Sequence, residues 1–247
     1  MPEIAHVDLM PALEVARSVP VQQAPNGICY ASFGQTQLSP GELERMVQAV
    51  PRAIAAALNR KAYYFVPLTI GESDQTWIAP DFTTELSDQA ICHRNVDFNG
   101  SQCVFISTRL MQDRFALAFE FYINTGHHFV DFAGVPDSFS QLVWSQAEAN
   151  VRGETSQDAW ESRSKALSPD RGIDEKARTA YMEAAFSDSI AIYLLSLTVD
   201  FDYTELRERE YPLLTAKALA ERLRHIATLF PPNPGDEFAI RYRRRRG

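Results

Sequence analysis

The spacing of apolar residues along this chain turns predominantly helical near residue 111, and that change limits the folds open to it. Before it, short aromatic and β-branched runs predict strands. They are Gly27 to Phe33, Tyr63-Tyr64-Phe65-Val66, Gln75 to Ile78 and Gln102 to Ser107, the last after the turn signal Asn99-Gly100. After it, apolar residues recur every three or four positions, as they do on one face of a helix. Gln112 to about Ala133 carries Phe115, Leu117, Ala118, Phe121, Tyr122, Phe129 and Val130, and Ser138 to Val151 is a second candidate. Asp174 is a candidate cap for a third helix reaching about Val199, with Ala177, Tyr181, Ala184, Ala185, Ile192 and Leu195 on its periodic face. A last helix is expected between Thr204 and Phe230, interrupted near Pro212 and stopped by Pro231-Pro232-Asn233-Pro234-Gly235. Residues 152–172 are polar and read as a long loop. Strands first and helices second predict an α+β chain.

The strand-rich half holds helices of its own. An amphipathic stretch runs to about Val19. Ser39-Pro40-Gly41-Glu42 is a helix start, with a Ser cap, Pro at the first helical position and Glu three residues after the cap. Leu43, Met46, Val47, Val50, Ile54 and Leu58 carry the helical period to Asn59, and Pro51 predicts a kink or break within it.

Charge and cysteine usage exclude several classes. The 247 residues carry 24 basic and 32 acidic side chains, a net charge of −8. Five arginines lie in the tail Arg241-Tyr242-Arg243-Arg244-Arg245-Arg246; without them 19 basic face 32 acidic residues, or −13. Such a body does not suit nucleic acid, whose phosphates need a basic face, and residues 236–247 read as a solvated basic tail. Cys29, Cys92 and Cys103 are too few and too scattered for a disulfide scaffold or a thiolate zinc site, which fits a reducing, cytoplasmic setting. Cys92 and Cys103 could pair if they lay on neighbouring strands. The opening Met1-Pro-Glu-Ile-Ala-His has neither a basic n-region nor an apolar h-region, so no signal peptide is expected. The longest apolar run, Ile190 to Val199, is half of the roughly 20 residues a spanning helix needs, so no membrane association is expected.

The chain has no GxGxxG, P-loop, GxSxG, paired CxxC or intact HExxH. Of its histidines, only His127 and His128 stand in a suggestive context: Ile123-Asn124-Thr125-Gly126-His127-His128-Phe129-Val130-Asp131-Phe132-Ala133-Gly134. This stretch resembles the active-site helix of zincin metallopeptidases, particularly the lethal-factor-like group, which reads roughly HExGHxVDxxxG. Gly126, His127, Val130, Asp131 and Gly134 fall in place. Ile123 stands at the first zinc-ligand position and Asn124 at the catalytic Glu. About 60 residues on, Phe186-Ser187-Asp188-Ser189-Ile190-Ala191 resembles the helix supplying the third ligand, with Asp188 for its Glu. Tyr181 falls where these enzymes place a tyrosine that assists catalysis, and Cys103 to Ser107 suits the edge strand above the cleft. The resemblance spans residues 60–210. It implies a single zincin-like domain over residues 1–235, with a twisted mixed sheet packed against two central helices, 112–133 and 174–199.

In the intact motif two His at i and i+4 share a helix face and grip one Zn²⁺, a third protein ligand comes from another helix, and the Glu takes a proton from the metal-bound water. Ile123 cannot ligate, and Asn124 cannot act as a base because an amide does not titrate near neutral pH. The resemblance therefore implies a homologue that has lost peptide hydrolysis, holds no cofactor and binds a peptide or protein in the old cleft. The competing expectation is an active zinc metalloenzyme with the shifted ligand set His127, Asp131 and Asp188. A third is an accessory domain with no cleft ligand.

Other conspicuous residues have plainer roles. Trp77, Trp144 and Trp160 are expected in the core or at its rim. Glu183 is five residues from Asp188 and so on another helix face. Arg207, Arg209 and Arg222 alternate with Glu205, Glu208, Glu210 and Glu221, which predicts a solvated helix surface. His93, beside Cys92, has no partner at ligand spacing and reads as structural.

Overall fold

The computed structural model describes residues 8–36, 38–72, 75–82, 84–108, 114–168, 173–199 and 211–240. The chain divides into two compact units, Met1–Phe121 and Tyr122–Gly247, and is α+β in class. The tail arginines and the stretch holding Glu205, Arg207, Glu208, Arg209 and Glu210 lie outside the described residues.

Two sheets build the first unit. One has four strands, β1 (Met10–Pro11), β5 (Leu68–Glu72), β6 (Gln75–Ala79) and β7 (Ala90–Ile91), antiparallel in the order β1-β6-β5-β7. The other has β2 (Gln22–Gln23), β3 (Cys29–Ser32), β4 (Lys61–Val66), β8 (His93–Phe98) and β9 (Ser101–Ser107), in the order β2-β3-β4-β9-β8. Its three inner strands are parallel, and its two outer ones are antiparallel to their neighbours.

Parallel inner strands are covered on both faces and lose the alternation of a half-exposed strand. Accordingly Tyr63, Tyr64, Phe65 and Val66 are all buried, as are Val104, Phe105 and Ile106. Tyr64 and Val66 point to one face, where Tyr64 stacks on Phe105 at 5.0 Å and Ala12 and Val15 of α1 (Ala12–Ser18) close the cluster. Tyr63 and Phe65 point to the other and meet Phe121, at 5.0 and 5.6 Å between ring centroids. Phe121 belongs to α4 (Arg114–Ala133).

Local signals set the connections. The Ser39 hydroxyl accepts from the Glu42 amide while the Glu42 carboxylate accepts from the Ser39 amide, a complete capping box that starts α2 (Pro40–Gln48). Pro51 ends that run, and the chain restarts as α3 (Arg52–Ala55) followed by a 3₁₀ turn. Asn99 and Gly100 take φ of 51° and 79°, the left-handed pair that a two-residue hairpin between β8 and β9 requires.

The second unit is helical. Beyond its share of α4 it contains α5 (Asp137–Glu148), α6 (Gln157–Ala166), α7 (Glu175–Thr198) and α8 (Ala216–Leu229). The stretch 152–172, expected to be a loop, instead contains α6. That helix is short and polar, with Ala159, Arg163 and Ala166 buried, so it lacks the apolar period that would announce it. Asp174 caps α7 by accepting from the Ala177 amide. From Ala185 to Leu195 every residue of α7 is buried, so this part of the helix is covered on all sides. Its Phe186 meets Phe139 of α5 at 4.8 Å and Phe129 of α4 at 6.0 Å. Among the described residues no helix is long and apolar enough to cross a membrane.

Candidate functional site

The backbones of the two motif helices come closest at Gly126 and Ser187. A Cβ added to Gly126 of α4 would come within 2.7 Å of the Ser187 carbonyl oxygen and 3.0 Å of its Cα on α7. Only glycine allows backbones this close. The crossing therefore places the second half of the HExGH-like stretch against the residue preceding Asp188. Thr125 and Ser187 are fully buried there, and neither hydroxyl has a hydrogen-bond partner.

α4 sorts the motif residues by face. Asn124 and His128, one turn apart, are buried. His127 and Asp131, also one turn apart, are exposed, and Ile123 on that same stripe is half-buried. Asp188 is 6% exposed. The shifted metal set thus combines two outward side chains with an inward one, and among the described residues no three His, Cys, Asp or Glu side chains are grouped to hold a metal ion.

Tyr181 and Asp188 lie seven residues, two turns, apart on one face of α7, and both bind the segment Glu154–Thr155. The Thr155 hydroxyl donates to Asp188 Oδ2 at 2.7 Å. The Tyr181 hydroxyl donates to Glu154 Oε1 at 2.5 Å. Glu154 has no exposed surface and anchors a larger cluster. Arg222 Nη1 donates to its Oε2 at 2.9 Å and Nη2 to its Oε1 at 3.3 Å, while Arg163 Nη1 reaches Oε1 at 3.0 Å. Arg222 also donates from Nε to Gln146 Oε1 at 2.8 Å and from Nη2 to the Tyr181 oxygen at 3.2 Å. The backbone secures the segment. The Glu154 amide donates to the Pro212 carbonyl and its carbonyl accepts from Leu214, while a Cβ on Gly153 (φ +84°) would strike the Leu213 oxygen at 2.0 Å.

Burial governs the protonation of this cluster. Asp188 is pushed up to about 6, by desolvation first and by the Glu154 charge second, against hydrogen bonds from Ser156 and Thr155 and the Arg222 charge. The Tyr181 phenol is raised by desolvation and by Glu154, so it stays protonated and donating. Desolvation opposes the Arg222 charge, but Glu154 and Tyr181 outweigh it and hold the guanidinium more firmly protonated.

Two expectations change here. Arg222 is not on a solvated helix surface: it is fully buried and charge-paired. Its place in the stripe Leu219, Arg222, Leu223, Ile226 was the signal, because a residue three and four positions from apolar neighbours faces the core. Nor is Cys103 to Ser107 an edge strand. β9 lies between β4 and β8, and β8 forms the edge, with exposure alternating along it and its first residue, His93, paired to Glu120 of α4. Glu154 and Arg163 were not anticipated, and nothing in their local spacing marks them.

All three cysteines are free. Cys103 lies opposite Val96, so Cys92 is four residues away along the neighbouring strand, about 13 Å and well outside disulfide reach. Trp144 is buried, Trp77 and Trp160 are half-buried, and Glu183 is exposed. No protein family, curated protein or solved structure matches this chain.

Proposed function

We propose that this chain is a zincin-like homologue that has given up peptide hydrolysis and binds a peptide or protein partner in the cytoplasm. The supporting observation is the engagement of Tyr181 and Asp188. A peptidase needs its third ligand open to a metal and its tyrosine open to substrate. Here the Asp188 carboxylate accepts from Thr155 and the Tyr181 hydroxyl donates to Glu154, both in the interior. Asn124, at the base position, is buried as well and cannot accept a proton. The Gly126–Ser187 approach supports the zincin-like arrangement, since it brings the two motif helices together beside Asp188. The place of β8 at the end of its sheet supports the binding role, because among the described strands it has one neighbour, and an edge strand can accept an extended segment. The three free cysteines suit the cytoplasm.

Restoring the metal motif tests the alignment. Ile123→His with Asn124→Glu and Asp188→Glu rebuilds HExGH and a longer third ligand. Zinc at 100 times its dissociation constant should then stabilise the variant by roughly 2.7 kcal/mol, and should leave the parent unchanged. Equal shifts in parent and variant, or none in either, would refute the alignment. Stoichiometric zinc in the purified parent, lost on His127→Ala, would refute the claim that hydrolysis is gone.

A further inference from the structure

The second unit carries a pocket that the motif helices do not form. Its volume is about 390 Å³, within the range of small-molecule sites, and Asn150, Val151, Arg152, Gly153, Trp160, Arg163, Ser164 and Leu167 line it. Both charged residues in that lining are arginines, and no carboxylate is among them.

Arg163 is 5% exposed, and its hydrogen bonds are unevenly distributed. Nη1 donates to the Gly153 carbonyl at 3.1 Å and to Glu154 at 3.0 Å. Nη2 makes one long contact, 3.5 Å, to the Ala147 carbonyl, and Nε makes none among the described residues. Nε and Nη2 form the side-on edge of a guanidinium, the fork whose two parallel N–H groups fit the two oxygens of a carboxylate or phosphate. The described side-chain atoms that are sealed and partnerless are hydroxyls of Thr69, Thr108, Thr125 and Ser187, so Arg163 Nε is not sealed from solvent. A buried arginine held chiefly through Nη1, with Nε unused and Nη2 engaged only by one long bond, is a fixed donor awaiting an anion. Arg152 supplies a second positive charge. It is exposed, and among the described residues its guanidinium has no hydrogen-bond or ion-pair partner. Val151, Trp160 and Leu167 add apolar surface to a wall that they share with Asn150 and Ser164.

We propose that this pocket binds a small oxyanion ligand, a carboxylate or phosphate monoester carried on a flat apolar body. Arg163 grips two oxygens side-on, Arg152 adds charge at the mouth, and the body lies against Trp160. The site is separate from the metal-motif alignment and stands whether or not that alignment holds.

Titration calorimetry of the full chain with benzoate, phenyl phosphate and neutral benzyl alcohol tests it. One or both anions should bind saturably, with a dissociation constant of about 1 mM or tighter. Whichever binds more tightly identifies the oxyanion, and benzyl alcohol should not bind. Arg152→Gln should weaken binding about tenfold while leaving the melting temperature unchanged, as expected for losing a charge-assisted contact at an exposed residue. Trp160→Leu should weaken it independently of charge. Equal binding of benzyl alcohol, no saturation by either anion, or full affinity in both variants would overturn the proposal.

Discussion

Replacing Glu154 by Gln should unfold much of the second unit's stability, and the structure sets the size of the effect. The Glu154 carboxylate accepts from Arg222 Nη1 and Nη2, from Arg163 Nη1 and from the Tyr181 hydroxyl, with no exposed surface on any of Glu154, Arg222 or Tyr181. Glutamine keeps the shape but removes the charge and turns one acceptor into a donor facing guanidinium N–H groups. Breaking one buried ion pair costs roughly 3–5 kcal/mol, because the surviving charge is stranded in the interior. Two arginines are stranded here, but each keeps a neutral partner, Gln146 for Arg222 and the Gly153 carbonyl for Arg163. A loss of about 4 kcal/mol follows. Against a typical total of 5–15 kcal/mol that is severe, and it corresponds to a fall of roughly 12–20 °C in melting temperature. Urea denaturation followed by circular dichroism measures it. Adding Arg222→Met to Glu154→Gln should recover part of the loss, since one stranded charge is then gone. A loss below about 1 kcal/mol, or a double variant worse than either single, would refute the view that charge pairing organises this core.

Three further outcomes follow from the helix crossing and the cluster. The folded-state pKa of Asp188, about 6, lies above its ordinary 3.8, so its contribution to stability is fully present below pH 3.8 and is lost as pH rises through 6. The loss is about 3 kcal/mol, and Asp188→Asn should remove it, raising the neutral-pH melting temperature and flattening its dependence between pH 4 and 6. Gly126→Ala should cost about 1–3 kcal/mol by forcing α4 from the Ser187 backbone, read as a lower urea midpoint; no change would mean the helices cross elsewhere. Thr125→Val keeps the shape and removes a buried partnerless hydroxyl, so it should gain about 1 kcal/mol in the same assay.

What the sequence made legible was local. The Ser39–Glu42 capping box, the Asp174 cap, the Pro51 break and the Asn99-Gly100 turn each act within a few residues, and each is realised. What it concealed depends on distant partners. Arg222 meets Glu154 across 68 residues of chain, and Thr155 meets Asp188 across 33. No local period records such a pairing, and a polar helix such as α6 shows its buried face only once its partners are in place. The site follows the same division. Gly126, Tyr181 and Asp188 were visible as motif positions. The use made of the last two was not, because it is decided by Glu154 and Thr155, which lie outside both motifs.

That single segment governs two positions seven residues apart on α7, Tyr181 and Asp188. Glu154 is fixed by its own backbone, bonded to Pro212 and Leu214, so its carboxylate cannot withdraw from the interior. An unpaired buried carboxylate is prohibitive, and two arginines neutralise it. Once Arg163 and Arg222 are there, the balance at Asp188 is set by burial against mixed charges. Arg222 favours the ionised form, Glu154 disfavours it, and desolvation is the larger effect and wins. Tyr181, placed between Glu154 and Arg222, is held protonated by the same burial and donates inward. Freeing Tyr181 for chemistry would therefore require dismantling the Glu154 cluster, and with it a large part of the second unit's stability, whereas Asp188 is bonded to the Thr155 hydroxyl rather than to Glu154. Under the proposed alignment, building a zinc site through Asp188→Glu and freeing Tyr181 are for this reason separate problems.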